Sequence, residues 1–569
     1  MIKKTIYQNI FDLAVDLLTL LIVGISVGVA LGIVSNLFVK GVNYLSNISL
    51  ENILPNFLSI YTPIFSLLLA AITIIIIRKL FDISRWHGPP DSILAAHQYK
   101  NSIDIKRGLG STLTAFISAS GGASVGQYGP LVHFGATIAS VLENFTSKRL
   151  PPGIFIGCGV AAAISAGFNA PIAGLVFAHE AILRHFSLRA GGAIAISSIT
   201  ASTIGTGIFS GAGGLKVIEN APKLLEITPV ILVISPLFGL VAILFIFGIR
   251  TGAKIAKLTK LSFTSQIFLA ALICGTVGIF IPEILGLGNL EMNSIYSNAY
   301  DIQFLFILLI GKIIMTSICI GFGFFGGVFA PALFVGAAAG GFLAKFIMMI
   351  GFSISLPAVA LAGTAAVGAV VIGAPIATTL IILEFTGRYE YAVAAMIAVQ
   401  VSSFITHRLY GDSLFDMALL DRKIKIGLGR QHIQMNDILL SKIITNEALV
   451  FDISTSVKKI RESMKINKVT EAVIIDSVGN FIGKINVYDI LEIKEKLIKE
   501  ISFDKNILVL NGNISLIDSI KEASNFVGEF IPVKDENNKF IGSVTEADIF
   551  KAYLDLQNQV LKVEKDTES

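Results

Sequence analysis

The residues of this chain whose types and spacing could serve chemistry are clusters of glycine and proline. Gly126-Gln127-Tyr128-Gly129-Pro130 lies within a stretch, 122–136, that recurs in a later apolar block. Gly122 is matched by Gly323, Gly126 by Gly327, Tyr128 by Phe329, Pro130 by Pro331 and Gly135 by Gly336. A second match follows, in which Gly159, Ala170, Pro171, Ile172, Ala173, Glu180 and Arg184 meet Gly363, Ala374, Pro375, Ile376, Ala377, Glu384 and Arg388. Two hydrophobic halves broken at corresponding places by Gly and Pro are the signature of transport proteins whose discontinuous helices meet near the bilayer midplane. Broken backbone survives at that depth only where it is buried in protein or lines a polar cavity, because an unsatisfied amide in hydrocarbon costs several kcal/mol. A pathway is therefore expected. The chain shows no Gly-rich phosphate loop with its Lys, no HExxH and no Ser nucleophile elbow. No enzyme activity and no metal site are expected.

The elements that must position these clusters are membrane helices. The 569 residues are 54% hydrophobic and 15% charged, with a mean hydropathy of +0.76, too apolar for an ordinary soluble protein. Apolar runs at 13–34, 60–77, 230–247, 267–281, 302–320 and 391–404 are candidate spans. Several are shorter than the roughly 20 residues of a perpendicular helix, which predicts tilted or partial helices. The net charge of +4 is small and dispersed, which gives no reason to expect a nucleic-acid partner. Lys3, Lys4, Arg78, Lys79, Lys148 and Arg149 flank apolar runs as orientation signals. Cys158, Cys274 and Cys319 sit in apolar surroundings without ligand spacing and read as small core residues. Lys3 and Lys4 precede an apolar stretch without a small-residue cleavage site, so the amino terminus is expected to be retained.

Beyond Phe415 the character changes to frequent charges and alternating strands. The pattern at Glu471–Asp476 and 482–490 repeats at 529–533 and 541–549, each copy reading strand, turn, strand, then a helix opening at an acidic residue. It resembles a tandem pair of CBS domains. The expected organisation is a membrane domain at 1–420 with repeats at about 15–210 and 228–420, a linker at 421–437, CBS-like copies at 438–499 and 500–560, and a tail at 561–569. In the CBS family a Thr-x-x-Asp at the strand-to-helix turn can contact ribose and phosphate. The resemblance carries this to Thr545 and Asp548, and more weakly to Asn486 and Asp489, so an adenine nucleotide is a possible ligand and no cofactor is required. The competing role of each Asp is to cap its helix.

The membrane motifs Gly126-x-x-Gly129-Pro130, Gly327-Val328-Phe329-Ala330-Pro331, Phe168-Asn169-Ala170-Pro171 and Glu384-Phe385-Thr386-Gly387 resemble those of the CLC family of chloride channels and proton/chloride exchangers. The resemblance spans about 15–420 and implies an α-helical multi-span domain built from an inverted repeat with broken helices, followed by an α/β CBS pair. It implies further a homodimer in the plasma or inner cell membrane, with the tail cytoplasmic and a pore for chloride or another small anion in each subunit. A helix amino terminus can hold chloride because its free N–H groups carry about half a positive charge. The segments that align with the family's anion-holding termini contain His87, Gly88 and Pro89; Gly126, Gln127, Tyr128, Gly129 and Pro130; and Gly327, Val328, Phe329 and Ala330. The amides of Val328 and Phe329 become ligands by this resemblance, and His87 stands where the family often has Ser.

Three departures bear on mechanism. Tyr128 replaces the family's gating and proton-carrying Glu, and a tyrosine keeps its proton well above neutral pH. It cannot serve as a charged gate, although its phenol could donate to chloride or its ring could close the path. Ala181 occupies the exchangers' intracellular Glu position, one residue after Glu180. His179 lies about half a turn round the helix from it. Phe415 replaces an inner Tyr, removing a donor. Glu180 and Glu384 are expected to pair with Arg184 and Arg388 at i+4. The reading that follows is a passive, proton-uncoupled chloride channel with a regulatory tail. The alternatives are an exchanger with an unconventional proton path and a poorly conducting nucleotide sensor.

Overall fold

The computed structural model describes residues 2–47, 59–98, 103–143, 151–186, 188–209, 221–422, 424, 435, 438–445, 448–493, 496–501 and 507–568. Lys148, Arg149 and most of the expected linker lie outside these residues, as do the side chains of Lys3 and Lys4. The chain divides into a unit ending at Arg422 and a unit beginning at Lys423.

The first unit is helical: α1 (Ile2–Asn47), α2 (Thr62–Leu80), α3 (Pro89–His97), α4 (Ile105–Ser120), α5 (Tyr128–Glu143), α6 (Pro152–Phe168), α7 (Pro171–Phe177), α8 (Leu188–Phe209), α9 (Leu224–Leu258), α10 (Phe263–Phe280), α11 (Asn289–Tyr296), α12 (Ile302–Gly321), α13 (Phe329–Met349), α14 (Leu356–Ile372), α15 (Pro375–Thr386), α16 (Tyr389–Leu409) and α17 (Leu414–Leu420). Eight candidate spans among the described residues are long and apolar enough to cross a membrane. Two of them, in α8 and α13, were not among the apolar runs picked out in the sequence. Both are rich in Gly and Ala, which break up the continuous run of large apolar residues seen in α9, the most hydropathic span at 3.0.

Local chemistry sets the helix ends. Asp104, Ser262, Asp301, Ser355 and Ser413 each cap a helix by accepting a backbone N–H of its first turn. Proline opens α3, α6, α7 and α15, where a missing N–H costs nothing. Asn169, Gly373 and Gly387 end α6, α14 and α15 in the left-handed conformation. Helices α6 and α14 are apolar all round and every residue of α14 is buried, so this repeat-related pair forms the core rather than the lipid face. Cys158, Cys274 and Cys319 are fully buried, and the last two place their sulfurs 3.5 Å apart.

The second unit contains two three-stranded sheets of the same design. In the first, β1 (Val450–Asp452) runs parallel to β2 (Glu471–Ile475), which pairs antiparallel with β3 (Phe481–Asn486). The second has β4 (Leu510–Asn511), β5 (Ile531–Lys534) and β6 (Phe540–Val544) in the same order. Helices α18 (Val457–Asn467) and α20 (Leu516–Ala523) fill the crossovers, and α19 (Val487–Ile490) and α21 (Glu546–Glu568) follow the last strands. The β2–β3 turn is held by Asp476, which accepts from the Asn480 backbone and side chain and from the Val478 N–H. These bonds keep its carboxyl below the ordinary range. Ile438, Leu440 and Ile443, read as the opening of the first copy, pack in the core of the second, beside Leu510 and Val544. A strand-and-helix pattern locates copies but not the arm that one lends to the other.

Candidate anion site

Gly126 and Gly327 bring the two motifs together. Each donates its N–H to the other's carbonyl, at 2.6 and 2.5 Å, so the starts of α5 and α13 are bridged across the repeat. A side chain at Gly126 would meet the Gly327 carbonyl at 2.9 Å and the ring of Pro331 at 3.0 Å. One at Gly327 would meet the Gly129 nitrogen at 2.7 Å. Only glycine allows this approach. The Pro89 ring lies 3.7 Å from where a Gly129 Cβ would stand, so the third segment joins the same junction.

The three helix starts differ in what they can offer an anion. Helix α13 begins at Phe329 without a side-chain cap, and its first backbone-satisfied N–H beyond the turn is that of Ala332, bonded to Val328. The N–H groups of Val328, Phe329 and Ala330 have no partner among the described residues, as expected for a first turn. In α5, Leu131 donates back to Gln127, which leaves Tyr128 and Gly129 as the first-turn donors, since Pro130 has none. The α3 start departs from expectation. The His87 N–H donates to Ser111 Oγ at 3.1 Å and the Gly88 N–H to Asp91 at 2.9 Å, and Pro89 and Pro90 carry no N–H. Asp91 caps its own helix and is itself clamped by Arg85 at 2.7 Å and Arg422 at 2.8 Å. This segment supplies packing and no free amide. Asp91 is legible in the sequence as an acid in the third position of the helix that Gly88-Pro89-Pro90 opens.

Tyr128 is buried, stacked on Phe168 with ring centroids 3.6 Å apart and edge-on to Phe329 at 6.3 Å. Phe385 and Phe329 lie at 5.5 Å from Phe168 and complete an aromatic cluster over the α13 start. Gln127 is buried beside it. The His87 ring is 6.0 Å from that of His133, whose Nδ1 lies 2.9 Å from Ser92 Oγ. Phe415 is buried on α17, which packs against α3 and α14. No ring contact among the described residues joins it to the Tyr128 cluster.

Glu180 and Glu384 do not pair with Arg184 and Arg388. Glu180 accepts the N–H groups of Ile376 and Ala377 at 2.9 and 2.8 Å. Glu384 accepts those of Ile172 and Ala173 at the same two distances. Each carboxylate thus caps the broken helix of the other repeat, where negative charge is favoured. For Glu180 the i+4 expectation fails because residues Ala178–Leu183 form a π-helical turn, which shifts the spacing, and Arg184 turns away to Asp416 at 2.9 Å. For Glu384 it fails because α15 ends at Thr386 and Gly387 takes the left-handed conformation, which leaves Arg388 outside the helix. Ala181 is fully buried within that turn, and His179 donates from Nδ1 to the His185 carbonyl at 2.9 Å and stacks on Phe186. In the second unit, Thr545 and Asp548 bond each other reciprocally, at 2.7 to 3.1 Å, and Asn486 with Asp489 forms a capping box.

A duplicated bundle of complete and broken helices, with its internal helix starts bridged and its short helices cross-capped between repeats, defines a membrane transport protein of the CLC class. The chain belongs to the voltage-gated chloride channel family, whose profile matches residues 69–407, and a CBS domain matches residues 498–555. It is 27% identical over 345 residues to the voltage-gated ClC-type chloride channel ClcB of Escherichia coli O9:H4 (strain HS), covering 59% of this chain and 81% of the relative. The fold is similar to that of a slow cyanobacterial Cl−/H+ antiporter, with TM-score 0.61 and 22% identity over 71% of this chain and 97% of that one. It is similar also to a eukaryotic CLC transporter, with TM-score 0.60 and 15% identity over 94% and 98%. The protein is therefore a multi-pass CLC-family chloride channel or transporter with a cytoplasmic carboxy-terminal CBS region.

Proposed function

We propose that the protein is a passive, proton-uncoupled channel for chloride or a similar small anion, with one pathway in each subunit of a homodimer. The observation that carries this reading is the pair Tyr128 and Ala181 at the positions where the resemblance expects the two proton-relay glutamates. Ala181 has nothing to titrate, and Tyr128 is buried in an aromatic stack without a charged neighbour in ring contact. The anion is held by the first-turn amides of α13 at Val328 and Phe329, assisted by those of α5 at Tyr128 and Gly129, where aligned dipoles favour negative charge without a buried cation in contact. His179 is tied to His185 and Phe186 and offers no route past Ala181. No catalytic role is assigned to any residue.

The CBS pair is read as a regulatory module. An adenine nucleotide there is supported by the resemblance of the Thr545–Asp548 turn. The mutual bonds of those two residues equally suit capping. A proton-coupled exchanger is the second reading, favoured by the fold shared with a Cl−/H+ antiporter. The deciding experiment is chloride efflux from liposomes with valinomycin present and external pH recorded in the same vessel. Chloride release without linked proton uptake is expected. Stoichiometric proton uptake would overturn the channel reading, and no flux would favour a path closed by Tyr128.

A further inference from the structure

Lys312 is fully buried at the centre of α12, inside a run that is otherwise uncharged. Its Nζ donates to the carbonyl oxygens of Ile284, Leu285 and Gly286 at 3.2, 3.4 and 2.8 Å, and lies 4.8 Å from the centre of the Phe334 ring. No carboxylate pairs with it among the described residues. Glu291 on α11 acts on it only at longer range. An ammonium group withdrawn from water and left without a counter-ion is costly, and carbonyl oxygens and an aromatic face repay only part of that cost.

Its surroundings are those of the junction between repeats. The turn that cages it donates the Gly286 N–H to the carbonyl of Gly122, the first residue of the duplicated motif, at 3.0 Å. One turn along α12, Thr316 bonds the Ser124 hydroxyl of the same motif at 3.0 Å. Phe334, over which the ammonium sits, is in the second turn of α13, the helix with free amides at Val328 and Phe329. The repeat-related position on α4 is Ser111, a neutral side chain in the same architectural place. The helix pairing therefore does not require a charge there.

We propose that Lys312 is the fixed positive charge of the anion pathway, a specificity-determining residue that raises anion affinity at the α5–α13 junction through its field rather than by contact. This inference rests on the anion-pathway reading of that junction. A charge in a low-dielectric wall is little screened, so its effect persists at high ionic strength, unlike that of a surface lysine.

The test is chloride binding to the purified full-length protein by titration calorimetry, with gluconate holding ionic strength constant. Lys312→Met is expected to raise the chloride Kd roughly tenfold, and Lys312→Arg to stay within about threefold of the unaltered protein, at both low and high gluconate. Should the Met variant not fold, Lys312→Gln, which keeps an amide donor for the carbonyl cage, carries the same expectation. A folded Met or Gln variant with unaltered Kd, or an Arg variant as weak as Met, overturns the inference, because a purely structural lysine would change the melting temperature and not the Kd. Absence of chloride binding by the unaltered protein would overturn the anion reading of the junction and this inference with it.

Discussion

Tyr128 stands between two possible roles, a hydroxyl that donates to chloride and a ring that narrows the path. Its stacking at 3.6 Å on Phe168 and its edge contact with Phe329 make the ring the feature fixed by packing. Tyr128→Ala is expected to raise chloride flux per protein roughly tenfold, by lowering the barrier about 1.4 kcal/mol. The same change destabilises the fold by about 3 kcal/mol through the cavity it leaves. Tyr128→Phe, which keeps the ring, is expected to leave flux within about twofold. Loss of flux in the Phe variant, measured in the liposome assay, would instead assign the role to the hydroxyl. Much at this scale was legible. The repeated Gly, Pro and aromatic positions are local in sequence, and Gly126 and Gly327 do meet. The partners of Glu180 and Glu384 were not legible, because each lies in the opposite repeat and a π turn has no sequence period that distinguishes it from an α-helix.

The helix pairs show why the small residues recur. Helices α5 and α6 cross where Gly135 and Gly159 place their backbones in contact, and α13 and α14 cross at the matching Gly336 and Gly363. A Cβ at any of these four would overlap a backbone carbonyl of the facing helix, which cannot move aside as a flexible side chain could. Gly135→Ala and Gly336→Ala are therefore expected to cost a similar 1–3 kcal/mol each, about the range of core overpacking. Gly192→Ala, at a position with open space, is expected to cost no more than about 1 kcal/mol and serves as the control. Melting of the detergent-purified variants checks this, and a large difference between the two core variants would count against equivalent crossings. Proline and glycine punctuation made the short helices legible in sequence. The three ion pairs that pin α17, Asp416 to Arg184, Asp421 to Arg250 and Arg422 to Asp91, were not, since all join residues far apart in the chain.

At the scale of the whole molecule, each unit is a pair of related halves joined by reciprocal bonds. Gly126 and Gly327 do this in the membrane unit. In the cytoplasmic unit the β2–β3 and β5–β6 turns exchange the Phe481 N–H to Asn538 and the Phe540 N–H to Gly479, at 2.9 and 3.1 Å. Within the first half, a charge pair between β2 and β3, Lys484 with Glu471 at 2.7 Å, faces the second half, and its side chains are each only 10% exposed. Glu471 accepts the Glu529 N–H from the second copy at 2.9 Å, and Lys484 lies 5.3 Å from the rings of Phe526 and Phe530. Removing one member leaves the other charge buried and unpaired, which costs about 3 kcal/mol, whereas replacing both by apolar residues of similar size is close to neutral. Lys484→Met is thus expected to speed amide hydrogen exchange in β2 and β5 by roughly a hundredfold, and Glu471→Leu combined with Lys484→Met to recover most of the protection. If the single variant exchanged like the unaltered protein, the two copies would be held by their apolar cores and turn-to-turn bonds alone. If the double variant were as unprotected as the single, the pair would be irreplaceable as a specific lock rather than a charge that merely needs its partner.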